Sequence, residues 1–195
     1  MDTKRILDIS LGSLSLALAA PILAGAAIAM CLSGDRGPFF YRARRVGEGA
    51  QIFTVLKVRT MAAGSVGSKV TLAQDTRVTP LGRVLRRYKI DELPQLINVI
   101  RGEMSLVGPR PEDPAYVDLS DPLHRRIFSV KPGITGLAQL AYHDEASRLV
   151  GPDAERRYRD QILPAKLRLD SEYLDRRTTL LDLQILLETV WTVIR

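Results

Sequence analysis

The chain has 195 residues, a net charge of +6 and a pI near 9.7. This length accommodates one domain with an added segment. The basic excess favours an acidic partner such as nucleic acid, an anionic lipid or a phosphorylated substrate. Cys31 is the only cysteine, which excludes a disulfide framework or a cysteine metal site built within one chain.

The first element in the sequence is an apolar stretch without charged residues, from Ile9 to Gly34. As one straight helix it would reach about 39 Å, which exceeds the roughly 30 Å of a hydrocarbon core. Pro21 lies near its middle, where proline removes a helical hydrogen bond and kinks the helix. Each of the two resulting arms is too short to cross a bilayer alone.

Basic residues flank this stretch on both sides. They are Lys4 and Arg5 before it, and Arg36, Arg42, Arg44 and Arg45 after it. Basic flanks are typical of cytoplasmic ends of membrane segments. We therefore predict that residues 1–36 form a re-entrant helix–break–helix that enters and leaves one leaflet, with a kinked span or a buried soluble hairpin as alternatives. Asp8 is expected to anchor the helix start near the interface, where a charge costs less than at mid-bilayer.

Residues 37–195 are predicted to form a mostly helical domain with a small β-hairpin, so the fold class is α+β. The alternation from Ile52 to Arg59 predicts a strand, which a glycine turn at 46–49 pairs with the preceding residues. Thr79 and Pro80 predict the start of a helix. We expect Asp91 to cap the next helix, which ends before Gly102.

The second half of the chain contains turns, a strand and two long helices in the prediction. A turn at 131–136 is followed by a predicted short strand at 137–142. Residues 153–177 are predicted to form a charged helix. Residues 180–195 are predicted to form an amphipathic apolar helix that packs on the body or lies at the bilayer interface, with Trp191 at headgroup depth.

The segment from Lys89 to Gln95 has the strongest chemical signature in the chain. Asp91 and Glu92 follow a basic segment containing Arg83, Arg86, Arg87 and Lys89. Arginines bind anions through forked hydrogen bonds. Adjacent carboxylates bind a divalent metal or attack phosphorus. Together with the apolar N-terminal segment, this pattern predicts an enzyme that acts on a phosphorylated lipid.

Eight short motifs follow one another along the chain. They are Lys4-Arg5-x-x-Asp8, Gly37-Pro38-Phe39-Phe40-Tyr41-Arg42, Lys57-Val58-Arg59-Thr60-Met61, Thr79-Pro80-Leu81-Gly82, Asp91-Glu92-Leu93-Pro94-Gln95-Leu96, Met104-Ser105-Leu106-Val107-Gly108-Pro109-Arg110-Pro111, Lys131-Pro132-Gly133-Ile134-Thr135-Gly136 and Asp170-x-x-Tyr173. Their order and spacing resemble the bacterial sugar transferase family, the monotopic phosphoglycosyl transferases, over nearly the whole chain. Larger members of that family have extra membrane helices and an added domain, so we expect this chain to be the minimal catalytic form.

The resemblance implies transfer of a phospho-sugar from a UDP-sugar to a polyprenol phosphate, which starts the assembly of a surface polysaccharide or glycoconjugate. The products would be a polyprenyl diphosphate sugar and UMP, and the expected cofactor is Mg²⁺. It also implies a location at the cytoplasmic face of the bacterial inner membrane, in contact with its lipids. A homodimer is an open possibility for the assembly.

Residue roles follow from the same resemblance. Asp91 is the expected nucleophile, which forms a covalent aspartyl intermediate, and Glu92 with Asp91 is the expected Mg²⁺ ligand. The candidate substrate- and phosphate-binding residues are Lys57, Arg59, Arg86, Arg110 and Asp170. Strand alternation would place Lys57 and Arg59 on one face. For Asp170, metal support, substrate contact and a structural ion pair with Lys166 remain alternatives.

The identity of the sugar does not follow from the resemblance. Many members have a Gly-Arg-Asn run after the Pro-Gly-Ile-Thr-Gly motif, whereas this chain has Ala141 to Glu145 there. Two other function classes remain open. A non-enzymatic basic scaffold at the membrane surface would leave the acidic pair unexplained, and a nucleic-acid binder would lack any helix-turn-helix, zinc or aromatic RNA motif.

Overall fold

The computed structural model describes residues 2–34, 37–67, 70–72, 74–151 and 153–194. Helices dominate and one antiparallel hairpin is present, which confirms the α+β class. The elements are α1 Thr3–Leu32, β1 Phe40–Val46, β2 Ile52–Val58, α2 Pro80–Arg87, α3 Gln95–Arg101, β3 Ser105–Val107, α4 Pro122–Ile127, β4 Gly133–Thr135, α5 Leu137–Ala141, α6 Glu145–Arg148, α7 Ala154–Arg157, α8 Leu163–Arg176 and α9 Thr179–Ile194. Short 3₁₀ turns lie at Glu48–Ala50, Ile90–Glu92 and Pro114–Tyr116, and a π-helical turn lies at Tyr158–Ile162.

The long helix α1 packs along the body of the protein through one stripe of mostly small residues. The buried residues are Asp8, Gly12, Ala19, Ala26 and Met30. The opposite face exposes Leu14, Leu18, Ile22, Ile28 and Leu32. Within the described ranges, α1 is the one helix that is long and apolar enough to cross a membrane, judged by length and composition. Its exposed apolar face is therefore the part available to lipid.

Pro21 does not interrupt α1, which continues as one helix from Thr3 to Leu32. The predicted break into two separate arms is therefore not observed. Proline removes one hydrogen bond to the carbonyl four residues earlier, but buried Ala19 and Ala26 hold the helix to the body on either side of it. The re-entrant path through a leaflet stays a prediction.

The basic residues before the apolar stretch have partners inside the fold. Arg5 donates from Nη1 to the Val99 carbonyl at 2.6 Å and from Nη2 to the Ile100 carbonyl at 2.7 Å. These carbonyls lie in the last turn of α3, where a cation is favourable. Lys4 pairs with Asp182 in α9. Their charges therefore join α1 to the body, in addition to any preference for the cytoplasmic side of a membrane.

Asp8 anchors α1 to the protein body. Its side chain is 5% exposed, and its Oδ1 accepts hydrogen bonds from the Ser105 hydroxyl at 3.0 Å and the Leu106 N–H at 2.9 Å. The prediction that Asp8 anchors the start of the helix is correct, but its partner is β3. A buried carboxylate needs such donors because its desolvation is otherwise unfavourable.

The hairpin forms as predicted. Strands β1 and β2 are antiparallel, with Phe40 opposite Val58 and Val46 opposite Ile52. Positive φ angles at Gly49 (63°) and Ala50 (61°) reverse the chain between them. Because side chains alternate between the two faces of a strand, the hairpin presents one face to the core and one outward.

Two glycine-containing turns pack backbone against backbone and fix the segment that carries Arg110. Strands β3 and β4 are parallel, and Gly108 donates to the Thr135 carbonyl at 2.9 Å while Gly133 donates to the Pro109 carbonyl at 2.8 Å. A Cβ atom on Gly133 would lie 2.1 Å from the Gly108 nitrogen. Only glycine fits there, so these motifs form one rigid unit.

The predicted starts of helices α2 and α3 differ in how well they match the structure. Helix α2 begins as predicted, because Thr79 Oγ1 accepts a hydrogen bond from the Gly82 N–H at 2.9 Å and Pro80 occupies the first turn. Helix α3 begins at Gln95, and Asp91 lies before it in a separate 3₁₀ turn, so the prediction that Asp91 caps this helix is wrong. Gly102, with φ of 86°, ends α3 as expected.

The predicted strand at 137–142 is wrong, because residues Leu137–Ala141 form helix α5. Leu137 and Leu140 lie three residues apart and both pack into the core, which is a helical spacing. The two helices α8 and α9 confirm the predictions for the C-terminal part. Helix α9 buries Ile185 and exposes Trp191, so it has one face toward the body and an apolar face outward.

Candidate active site

The acidic pair lies in the 3₁₀ turn between α2 and α3. Lys89, immediately before this turn, has a left-handed backbone with φ of 54°, an uncommon conformation for a non-glycine residue that often occurs at functional sites. This reversal ends α2 and brings Asp91 and Glu92 against β2. Asp91 is buried, with 7% of its surface exposed.

Glu92 forms an ion pair with a lysine in β2. Lys57 Nζ in β2 lies 2.8 Å from Glu92 Oε1. Burial acts to raise the pKa of Glu92, but Lys57, then Arg110 and Lys89, outweigh it and hold the pKa well below its usual range. Glu92 is therefore a fixed negative charge at neutral pH.

Asp91 differs from its neighbour in having no hydrogen-bond donor for its buried Oδ1 among the described residues. Burial, followed by the charge of Glu92, raises its pKa to about 6, and the charges of Lys57 and Arg86 partly oppose the rise. At pH 7 the carboxylate is mostly ionised but poorly solvated. Such a carboxylate can act as a nucleophile toward phosphorus without a base.

A cleft beside this pair collects cationic side chains from three parts of the chain. Its lining consists of Arg45, Val55, Lys57, Glu92, Gln95, Arg110, Pro111, Gly133 and Ile134. In the part of the chain that the structure describes, the guanidinium of Arg110 donates no hydrogen bond. Burial opposes its charge, but Glu92, Glu145 and Glu112 raise its pKa further. Arg110 thus offers a full set of donors to an anion.

Two cleft residues were not among the predicted site residues. Arg45 lies at the end of β1, and its Nη1 is 3.3 Å from Asp113 Oδ2. Gln95 is buried at the first turn of α3. Strand alternation gave a usable signal for Arg45, since Ala43 faces the core and the side chain two residues later lies on the same face. Gln95 belongs to the Asp91 to Leu96 motif, so its place in that motif was a usable signal.

Arg86 lies close enough to the acidic pair for its charge to lower the pKa of Asp91. Its Nε donates to the Thr60 hydroxyl at 2.8 Å, which orients the guanidinium from α2. Of the predicted phosphate-binding residues, Lys57, Arg86 and Arg110 are therefore gathered around Asp91 and Glu92.

Arg59 is placed apart from this group. Strand β2 ends at Val58, and the Arg59 N–H still donates to the Phe39 carbonyl at 2.8 Å, but the Arg59 guanidinium has partners away from Glu92. Its Nε donates to the Pro38 carbonyl at 2.7 Å and its Nη1 to the Met61 carbonyl at 3.1 Å. These contacts fasten the segment after β2, and phosphate binding by Arg59 stays a prediction that its position does not support.

Asp170 lies behind the Arg110 turn and does not line the cleft. It is 3% exposed, its Oδ2 accepts the Arg110 backbone N–H at 3.3 Å, and its Oδ1 has no partner among the described residues. Burial raises its pKa to about 8. The geometry fits support of the turn better than direct substrate contact, and the alternative ion pair with Lys166 is replaced by pairs between Lys166 and two glutamates.

The acidic pair fits the predicted Mg²⁺ site in its chemistry. No group of three or more His, Cys, Asp or Glu side chains that could hold a metal occurs among the described residues. Mg²⁺ commonly binds through one or two carboxylates and completes its shell with water and substrate phosphates. The unpartnered Asp91 oxygen and the neighbouring Glu92 meet that requirement. Mg²⁺ binding stays a prediction.

Comparison with known proteins indicates the family to which the chain belongs. The model of the family described as "Bacterial sugar transferase" matches residues 1–195. The UDP-glucose:undecaprenyl-phosphate glucose-1-phosphate transferase of Caulobacter vibrioides is 40% identical over 192 residues, which cover 96% of this chain and 68% of that protein. The Escherichia coli protein of the same name is 36% identical over 194 residues, 96% of this chain and 39% of that protein.

A third relative is closer to this chain in length. The exopolysaccharide production protein ExoY of Sinorhizobium fredii is 31% identical over 207 residues, which cover 96% of this chain and 84% of that protein. Because the family model matches the entire sequence, and relatives above 30% identity align over nearly all of it, the chain belongs to the bacterial sugar transferase family.

Proposed function

We propose that the chain transfers a sugar 1-phosphate from a UDP-sugar to a polyprenol phosphate, which gives a polyprenyl diphosphate sugar and UMP. As a bacterial sugar transferase the chain is an enzyme, and its relatives are named for transfer of a hexose 1-phosphate to undecaprenyl phosphate. The name of the exopolysaccharide relative supports a role in surface polysaccharide production, and transfer of the first sugar phosphate to the lipid would start that synthesis.

The observation that carries this proposal is the buried Asp91 oxygen, which has no partner among the described residues, next to a cleft lined by the Arg110 guanidinium. In the first step, Asp91 attacks the phosphorus nearer the sugar, the bond from that phosphorus to the UMP oxygen breaks, and UMP leaves with the bonding pair. In the second step, an oxygen of polyprenol phosphate attacks the same phosphorus, and the bond to Asp91 breaks. The carboxylate is then restored.

The cationic residues of the cleft reduce the repulsion between the Asp91 carboxylate and the anionic diphosphate that it attacks. Arg110 offers a forked set of donors to phosphoryl oxygens. Lys57 holds Glu92 in place through an ion pair, and its ammonium group also lines the cleft, where it attracts anions. Mg²⁺, held by Asp91 and Glu92, would supply further neutralisation of the diphosphate charge.

Location at the cytoplasmic face of the inner membrane is part of the proposal. The exposed apolar face of α1 supports membrane association, as does a membrane lipid in the names of the relatives. Helix α9 exposes Leu187 and Trp191 as a second apolar surface. Aromatic residues of this kind favour the membrane interface, so α1 and α9 would both contact the bilayer beside the site.

Release of UMP is the direct test. Purified protein in detergent or nanodiscs would be incubated with Mg²⁺, undecaprenyl phosphate and a panel of UDP-sugars. We expect UMP with at least one donor, dependent on the acceptor in the steady state. If no UDP-sugar yields UMP while the protein binds anionic vesicles, the alternative of a non-enzymatic membrane scaffold is favoured.

A further inference from the structure

A buried lysine lies behind the candidate active site. Lys166 in α8 is 2% exposed. Its Nζ lies 2.8 Å from Glu145 Oε2, 3.3 Å from Glu112 Oε1 and 3.2 Å from the Tyr158 hydroxyl. The same hydroxyl donates to Glu112 Oε2 at 2.9 Å. A buried lysine is unfavourable unless it is paired, and these two carboxylates and one hydroxyl provide the pairing.

The same two carboxylates also face Arg110. Glu112 lies two residues after Arg110 on the rigid turn, and Glu145 lies at the start of α6. Both of them, together with Glu92, stabilise the charge of the Arg110 guanidinium. Asp170, one turn after Lys166 in α8, accepts the Arg110 backbone N–H. Helix α8 therefore acts on the Arg110 segment in two ways. Asp170 accepts the Arg110 backbone N–H, and Lys166 pairs with the two glutamates that act on the Arg110 charge.

Arg110 can bind an anion in the cleft only if the nearby carboxylates of Glu112 and Glu145 are paired with another cation. With Lys166 present, two carboxylates have a cation of their own, and Arg110 forms no hydrogen bond within the described residues. Without Lys166, Arg110 remains as the cation that lowers the pKa of Glu112, and Glu145 also acts on the Arg110 charge. A buried carboxylate that loses its partner is strongly unfavourable, so the guanidinium would be drawn toward them and away from the cleft.

We propose that Lys166 is a positioning residue, which holds Glu112 and Glu145 and so leaves the Arg110 guanidinium directed at the phosphates of the nucleotide donor. The inference rests on the proposed function, because it assumes that Arg110 binds the donor. The π-helical turn Tyr158–Ile162 supports it. Such turns occur often at functional sites, and this one places the Tyr158 hydroxyl between Glu112 and Lys166.

The test is a double-mutant cycle between Lys166 and Arg110. We expect Lys166→Met to lower kcat/KM for UMP release, and the affinity for UDP measured by calorimetry, by about 100-fold, as a displaced binding group does. In an Arg110→Gln background the same substitution should cause no further loss, because the group that it displaces is already absent. All values are taken per folded protein, at a temperature below the unfolding transition.

Lys4→Met is the matched control. Lys4 forms an ion pair with Asp182 and contacts the Tyr173 hydroxyl, and its Nζ also donates to the Val107 carbonyl at 3.0 Å. Its carboxylate partner is not one of the three, Glu92, Glu145 and Glu112, that act on the charge of Arg110. We expect this variant to lose stability while its kcat/KM and UDP affinity per folded protein stay within about threefold of the starting protein, since sites without shared partners act independently.

A second variant keeps the test valid if Lys166→Met does not fold. Lys166→Gln removes the positive charge but keeps a side chain that can donate a hydrogen bond to Glu112 or Glu145, so both carboxylates lose their cation while the buried position keeps a polar partner. The loss should again vanish in the Arg110→Gln background.

Unchanged UDP affinity in the folded Lys166 variants, or an equal loss in both backgrounds, would overturn the positioning role. If the unmodified protein binds UDP but releases no UMP, the proposed function fails while the cycle still measures the coupling between Lys166 and Arg110. If it neither binds UDP nor releases UMP, both fail.

Discussion

The Nζ atom of Lys57 lies 2.8 Å from Oε1 of Glu92. The next carboxylate, Asp91, has a buried Oδ1 without any donor among the described residues. Two adjacent acids thus have opposite environments: cations keep Glu92 ionised, whereas burial and its neighbour raise the pKa of Asp91. This asymmetry distinguishes a fixed charge from a reactive group, which is how paired carboxylates divide their roles in many active sites.

Lys57→Met should lower kcat for UMP release by about 100-fold, as expected when one preorganised cation at a reacting anion is lost. The substitution leaves Glu92 without its ion-pair partner and removes a positive charge that lowers the pKa of Asp91. The measurement is steady-state UMP release with a donor that the unmodified protein accepts. Arg44→Met, an exposed cation on β1, is the matched control, and an equal loss there would show a general charge effect.

Gly133→Ala should destabilise the fold by about 3 kcal/mol or more, at the upper end for overpacking. The new Cβ would lie 2.1 Å from the Gly108 nitrogen and 2.5 Å from the Thr135 carbonyl oxygen, and neither backbone atom can move without breaking the β3–β4 contact. Thermal unfolding in detergent measures the effect. Gly25→Ala in α1 is the comparison, since no atom lies within 4 Å of its Cβ position; an equal fall in Tm for both would contradict the packing argument.

Asp170→Asn should remove a pH dependence of stability. Burial raises the pKa of Asp170 from 3.8 to about 8 in the folded protein, so between these values the folded state binds a proton that the unfolded state lacks. The free energy of unfolding therefore falls as pH rises from about 4 to about 8, by at most about 1.4 kcal/mol per pH unit from this group.

The amide can still accept the Arg110 N–H, but it does not ionise. The measurement is Tm of both proteins at pH 5, 6, 7 and 8. The variant should gain stability relative to the unmodified protein as pH rises. A Tm difference that is constant over this range would show that Asp170 does not titrate there.

The re-entrant path of α1 predicts that both of its ends face the cytoplasm. Asp2→Cys and Arg42→Cys, at exposed positions on either side of α1, would be made in a Cys31→Ser background, because Cys31 is itself exposed. A membrane-impermeant maleimide added to intact cells should label neither cysteine, and both should react after permeabilisation. Labelling at residue 2 but not at residue 42 in intact cells would indicate a kinked span.

Sequence patterns predicted the elements whose signals are local. Thr79 and Pro80 predicted the start of α2, and Gly102 predicted the end of α3, because caps act through neighbouring residues. The start of α3 was predicted wrongly, since Asp91 is a good capping residue in isolation but its side chain is taken into the site. The strand predicted over 137–142 was wrong because a short apolar run fits either a strand or a helix. Packing of Leu137 and Leu140 into the core decides for the helix.

The candidate site was predictable as chemistry but not as geometry. The motif containing Asp91 and Glu92 indicated the acidic pair, and the resemblance indicated Lys57, Arg86 and Arg110, which the structure gathers around that pair. The contacts of the Arg59 side chain with the Pro38 and Met61 carbonyls could not be predicted, because they depend on how the segments on either side of the hairpin fold. The pairing of Lys166 with Glu112 and Glu145 joins three distant segments, so it depends on the tertiary fold.

The central claim is that Asp91 forms a covalent bond to the transferred phosphoryl group. The most direct measurement is mass spectrometry of the protein after reaction with an accepted UDP-sugar in the absence of polyprenol phosphate. The account predicts a mass increase equal to one sugar phosphate, located on the peptide that contains Asp91, absent from Asp91→Asn, and lost when polyprenol phosphate is added. An Asp91→Asn variant that turns over at the unmodified rate, or an adduct on another residue, would contradict it.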